Sequence, residues 1–157
     1  MTTTSPGDAT TPTVRPVVEA DLLDVSRIER AVFPQPWPYE AFRRFLDEPG
    51  FLVAEVGGRV AGYVVADVTP NFGHDVGHVK DIAVHPEFQG RGIGTTLLER
   101  ALATLAAVGA GSVKLEVRAS NEEAIRLYRR HGFEYRRTIP RYYGDGENAL
   151  VLVRPTD

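Results

Sequence analysis

Apolar and polar positions along this chain repeat with two different periods, and each switch between them marks an element boundary. Val14 to Val18 is a short β-rich run. Glu19 to Val32 predicts a helix, because Leu22, Val25, Ile28 and Val32 fall on one face. Pro34, Pro36 and Pro38 end it, and Tyr39 to Leu46 resumes as a second short helix stopped by Pro49-Gly50. Phe51 to Val56 and Arg59 to Val68 are strand-like runs joined at Gly57-Gly58, a two-residue hairpin signal. Thr69 to Gly77 is expected as a loop and Val79 to Val84 as the next strand. A helix ending near Val108 follows, with Leu97, Leu98, Ala101, Leu102 and Leu105 as its core stripe. Ser112 to Val117 reads as a strand, and Ser120-x-x-Glu123 as a capping box opening a helix to about His131. Phe133 to Ile139 and Ala149 to Val153 close the chain as two strands around a Gly-rich loop.

This order predicts an α/β protein, a mixed sheet with helices on both faces. At 157 residues the expectation is a single domain over residues 14–157. Residues 1–13, rich in Thr, Pro, Gly and Ser, are expected to be a disordered tail; they lack the basic start and apolar stretch of a signal peptide. No apolar run reaches about 18 residues, so no membrane partner is expected. The absence of cysteine removes disulfides, a thiol nucleophile and thiolate metal sites, and agrees with a cytoplasmic address. A net charge of −3 argues against a general nucleic-acid binder. The four histidines lack zinc-site spacing, so no metal is expected.

The most informative segment is Gln89-Gly90-Arg91-Gly92-Ile93-Gly94-Thr95, between a predicted strand and a predicted helix. Glycine lets bare backbone approach a ligand, and the helix that follows aims unpaired N–H groups and its positive dipole end at the same space. Such a turn is an anion site suited to phosphate. A nucleotide P-loop would need Gly-Lys-Ser/Thr, but Gly94-Thr95-Thr96 has no lysine. A dinucleotide fingerprint needs G-x-G-x-x-G after the first strand; here the spacing is G-x-G-x-G, deep in the chain. A ligand-free glycine-rich helix entry remains the alternative.

Ile82-Ala83-Val84-His85-Pro86-Glu87-Phe88 leading into this turn resembles the acetyl-CoA motif of the GCN5-related N-acetyltransferase (GNAT) superfamily. Leu115-Glu116-Val117-Arg118-Ala119-Ser120-Asn121 and Ala124-Ile125-x-Leu127-Tyr128-x-x-x-Gly132-Phe133 also resemble it, more narrowly its RimI-like ribosomal-protein alanine acetyltransferase branch. Gly77-His78-Val79 and Tyr142-Tyr143-Gly144-Asp145-Gly146-Glu147 are similar to the archaeal protein N-terminal acetyltransferases of that branch. The resemblance spans roughly Val14 to Arg154. It implies the GNAT acyltransferase fold, a mostly antiparallel sheet whose central strands splay apart to admit acetyl-CoA. The implied reaction is acetyl transfer to the N-terminal amines of proteins, ribosomal proteins among them, by direct attack in a ternary complex.

The resemblance also implies roles for individual residues. Ile82, Ala83 and Val84 would offer backbone groups to the coenzyme's pantetheine arm. Gln89, Gly90, Arg91, Gly92, Ile93, Gly94 and Thr95 would hold its diphosphate, and Asn121 would bind the pantetheine. Glu116 would be the general base, Tyr128 the acid that protonates the departing thiolate, and His78 a second base. Phe33, Trp37, Tyr39, Tyr142 and Tyr143 would line the walls that receive the substrate. Read without the family, Glu116 is equally a solvated acid, Tyr128 a core tyrosine, His78 a structural histidine, Asn121 a helix cap, and Phe33 and Trp37 packing residues.

The chemistry favours an α-amine over a lysine side chain. With a pKa of about 7.7–8.0, an α-amine is roughly one tenth neutral at pH 7, whereas a lysine near 10.4 is below about 0.1% neutral. A carboxylate is a weak base and suits the easier substrate. Acetylation of a small free amine or of lysine, and a non-catalytic acyl-CoA-binding module, are the competing readings. A monomer or weak homodimer is expected.

Overall fold

The computed structural model describes residues 11–156. Among these residues, seven strands are hydrogen-bonded in the order β1-β2-β3-β4-β5-β7-β6. They are β1 (Thr13–Pro16), β2 (Leu52–Val56), β3 (Arg59–Thr69), β4 (Asp75–Val84), β5 (Ala110–Arg118), β6 (Glu134–Ile139) and β7 (Ala149–Pro155). Four α-helices accompany them: α1 (Leu22–Val32), α2 (Tyr39–Arg43), α3 (Ile93–Ala107) and α4 (Glu122–Arg130). Packing divides the chain into two compact units, each made of two chain segments: 1–65 with 81–101, and 66–80 with 102–157. The first ten positions of the expected tail lie outside the described residues, and Thr13 already pairs with Glu55 in β1.

In the first unit, β1 pairs antiparallel with β2, and β2 with β3 through a turn whose Gly57 and Gly58 have φ of 55° and 80°. Those positive angles suit the tight hairpin that the paired glycines predict. The expected helix from Glu19 is divided: Glu19–Asp21 forms a 3-10 turn before α1. Asp21 accepts a hydrogen bond from Val18 N at 2.9 Å and is paired with Arg15 at 2.7 Å, which fixes the helix entry. Leu22, Val25 and Ile28 are buried against Phe42, Phe51, Val53, Tyr63 and Val65, which form the apolar core of this unit.

In the second unit, β5 pairs antiparallel with β7, and β7 with β6. β4 begins at Asp75, four residues before the expected strand start, and pairs parallel with β5 from Asp75 to Val79. Gly77, read as a loop residue, is there for space. A Cβ on it would lie 2.9 Å from Leu105 Cδ1, so glycine lets α3 approach the strand closely. The β4–β5 ladder stops at Val79 and Leu115, although β4 runs on to Val84 and β5 to Arg118. The expected capping box is also corrected. Asn121, not Ser120, is the N-cap of α4, and its side chain accepts from Ala124 N at 3.2 Å.

Candidate active site

Within the first unit, Ile82, Ala83 and Val84 form the end of β4, with Ala83 buried and its two neighbours half-buried. Gln89 ties the turn back to this strand, donating from Nε2 to Val84 O at 3.0 Å. One lone pair of that carbonyl is therefore already engaged. Gly90 and Gly92 have φ of 80° and 81°, a region that side-chain-bearing residues rarely adopt. A Cβ on either would meet no atom within 4 Å, so the space above the turn is not filled by the protein. The first bond of α3 runs from Thr96 N to Gly92 O, which leaves the N–H groups of Ile93, Gly94 and Thr95 without helical partners. Ile93 is buried by its side chain and can offer a ligand only backbone. Arg91 lies exposed over the Phe88 ring, 5.2 Å from its centroid, and donates to Glu87 O at 3.3 Å. This turn fits the diphosphate of a coenzyme.

Within the second unit, strand alternation places Val113, Leu115 and Val117 in the core and Lys114, Glu116 and Arg118 on the opposite face. His78 is paired with Lys114 in the β4–β5 ladder, and Glu116 lies diagonally beside it. His78 Nε2 and Glu116 Oε1 are 2.6 Å apart, with side chains only 16% and 12% exposed. Burial pushes the Glu116 carboxyl up, but the hydrogen bond and charge of His78, helped by Lys114 and Lys80, outweigh it and hold the group below the usual carboxylate range. An ionised carboxylate only accepts, so His78 Nε2 carries the shared hydrogen. His78 is thus a mid-strand partner of Glu116.

Tyr142 and Tyr143 stand edge to face with centroids 5.0 Å apart. Burial raises both phenols, and the negative charge of Glu116 adds to the rise; Tyr143 reaches about 12. Both therefore stay protonated as donors in the physiological range. Tyr128 is buried in α4, its ring 5.8 Å from that of Phe133.

The Acetyltransferase (GNAT) family model matches residues 22–133, a span that contains both the glycine turn and the His78–Glu116 pair. The chain belongs to the GNAT acetyltransferase family. It is an acetyl-CoA-dependent N-acetyltransferase. An N-alpha-acetyltransferase of Sulfurisphaera tokodaii is 36% identical over 146 residues, covering 86% of this chain and 87% of the relative. Among solved structures, Ard1 from Thermoplasma volcanium has a TM-score of 0.85 at 29% identity, over 92% of this chain and 97% of that one. The ribosomal-protein-S18-alanine N-acetyltransferase from Escherichia coli has a TM-score of 0.83 at 29% identity, over 94% and 95%.

Two features of this acetyltransferase escaped the sequence reading. In the second unit, Arg118 donates to Asp145 at 2.8 Å and Glu147 at 2.9 Å, and its guanidinium lies 4.2 Å from the Tyr143 ring centroid. Glu147 also accepts from Ser120 N at 2.8 Å. The tyrosine loop is thereby clamped to the strand that carries Glu116. In the first unit, Glu29, Tyr63 and Asp81 form a buried polar cluster. The Tyr63 hydroxyl donates to Glu29 and lies 3.2 Å from Asp81, while Glu29 Oε2 accepts from Trp37 N at 2.9 Å. One phenolic hydrogen cannot serve two carboxylates. Burial, reinforced by Glu29, pushes Asp81 far above its usual range, so it keeps a proton that completes the network.

Phe33, Trp37 and Tyr39 are partly buried against the first unit's core, and Trp37 also contacts Phe42 and Phe45. Packing therefore occupies part of these rings, and Glu29 anchors the backbone of the segment that bears them. Asn121 is exposed and caps α4. Among the described residues, no group of three or more His, Asp or Glu could hold a metal ion.

Proposed function

We propose that this enzyme acetylates the N-terminal α-amines of proteins, in the manner of the alpha-amine transferases it is similar to. The observation that carries the reading is the His78–Glu116 pair, a carboxylate held ionised at 2.6 Å from its orienting imidazole. Two protonated tyrosines whose phenols respond to the Glu116 charge complete the surroundings. Acetyl-CoA supplies an activated acetyl group as a thioester.

Glu116 receives the substrate ammonium, and the fraction already neutral at the terminus makes the remaining proton transfer small. That proton leaves the amine toward Glu116, directly or through one water, while His78 Nε2–H fixes the carboxylate. Tyr142 and Tyr143 donate to the carbonyls of the first substrate residues, which distinguishes a peptide from a bare amine. Tyr128 supplies the proton for the departing sulfur. The N–H groups of Ile93, Gly94 and Thr95 hold the diphosphate, and Ile82 and Val84 offer backbone to the pantetheine.

Similarity to an S18-alanine transferase makes ribosomal-protein termini one substrate class, and other protein termini a second. The test is a peptide series differing in the first two residues, with acetyl placement read by mass spectrometry. Modification at the α-amine is expected. Modification confined to internal lysines or to small free amines overturns the reading.

A further inference from the structure

A total charge of −3 conceals a strong asymmetry. Residues 126–141 carry six arginines against a single acid, Glu134, a net +5, so the remainder of the chain carries −8. Arg126, Arg129, Arg130, Arg136, Arg137 and Arg141 are all exposed. None of the six has an acidic partner among the described residues, whereas Arg15, Arg27, Arg43, Arg59 and Arg118 are each paired with one. Arg126, Arg129 and Arg130 share the outer face of α4 by their i, i+3, i+4 spacing, opposite buried Tyr128. A short turn leads from α4 into β6, the edge strand, where Arg136 and Arg137 sit beside a register shift. Arg154 Nη1 fastens that turn by donating to His131 O at 2.7 Å.

Helix-dipole compensation accounts for Arg129 and Arg130 in the last turn of α4. It does not account for Arg126 one turn earlier or for the pair on β6. We propose that α4 and β6 form a docking surface for single-stranded RNA, separate from the reacting groups. Guanidinium forks match phosphate oxygens two at a time, and all the cations here are arginine rather than lysine. Tyr135, 53% exposed on β6 between the two groups of arginines, gives an unpaired base a ring to stack on. The net charge that argued against nucleic acid is a sum, and RNA meets only the local field. Such a dock raises the concentration of amine substrates near RNA-bearing particles without altering the chemistry.

The test uses the full chain and a fluorescein-labelled, unstructured 20-nucleotide RNA, with anisotropy read over a salt series. One variant neutralises the surface: Arg126→Gln, Arg129→Gln, Arg130→Gln, Arg136→Gln and Arg137→Gln. A control neutralises Arg27, Arg43, Arg44 and Arg59 in the same way. For five phosphate contacts the log–log salt slope is about −3.5. The surface variant is expected to lose at least tenfold in affinity with a slope closer to zero, the control less than twofold, and Tyr135→Ala at least threefold. Peptide acetylation by the surface variant stays within twofold of wild type, which also reports that it is folded. No RNA binding by the wild type at 0.1 M salt, or equal losses in the surface and control variants, overturns the proposal. So does tighter binding of a polyglutamate peptide or of anionic vesicles than of the RNA.

Discussion

Glu116 and His78 meet across parallel strands, with Oε1 and Nε2 at 2.6 Å, in a chain where neither residue is near the other in sequence. The imidazole lowers the carboxyl that burial alone would raise. Glu116→Gln removes the proton acceptor and should lower kcat by about 10²-fold, in the usual range for a general base, while CoA affinity changes less than threefold. In His78→Asn the lowering influence is gone, so the acid limb of the kcat/KM profile should move to higher pH. An acid limb that stays in place would detach His78 from the ionisation of Glu116.

The glycine turn predicts a different failure. Gly92 at φ 81° cannot accept a β-branched side chain without strain of about 1–2 kcal/mol, and the added atoms would enter open space above the N–H groups. Gly92→Val should weaken CoA at least tenfold by calorimetry, whereas Glu116→Gln should not. Unchanged CoA affinity in Gly92→Val would move the diphosphate elsewhere.

Arg118 is a positioning residue for the tyrosine loop. Arg118→Leu should raise KM for peptide about tenfold or more, with a smaller fall in kcat and no change in CoA affinity. Arg118→Lys should rescue little, because one ammonium cannot reproduce the fork that serves Asp145 and Glu147 while covering Tyr143. Full rescue by lysine would reduce the clamp to simple charge.

Asp81 links protonation to stability. Its folded-state pKa is raised, so its contribution is fully present below its unfolded pKa and declines as pH rises through the folded value. Asp81→Asn keeps a donor toward Glu29 without an ionisable proton. Melting temperatures taken from pH 4 to 9 should fall less steeply with rising pH in Asp81→Asn than in wild type. Parallel curves would show that Asp81 is not the group being titrated.

Periodicity was enough to order the strands and helices, because each buried face is local. It misplaced the start of β4 because Gly77 in isolation signals a turn, while its function is to admit Leu105, 28 residues away in sequence. The left-handed glycines and the helix entry after them were legible, since backbone conformation and helix start are encoded side by side. The charge pairs were not, because they join residues that only the sheet brings together. His78 and Glu116 each looked ambiguous alone, and the Arg118 clamp spans 29 residues to Glu147. Glu29 did leave a trace: it follows Val25 by four residues, on the stripe that also carries Leu22 and Ile28. An acid on a core stripe signals a buried partner, but not that the partners are Tyr63 and Asp81.

The most direct test of the account is acetyl placement on free peptides by wild-type enzyme and by Glu116→Gln. The peptides carry both an N-terminal amine and an internal lysine, and the site is mapped by tandem mass spectrometry. The account predicts acetyl at the terminus only, formed about 10²-fold more slowly by the variant. Acetyl on the lysine with the terminus untouched, or equal rates from the two enzymes, would contradict it.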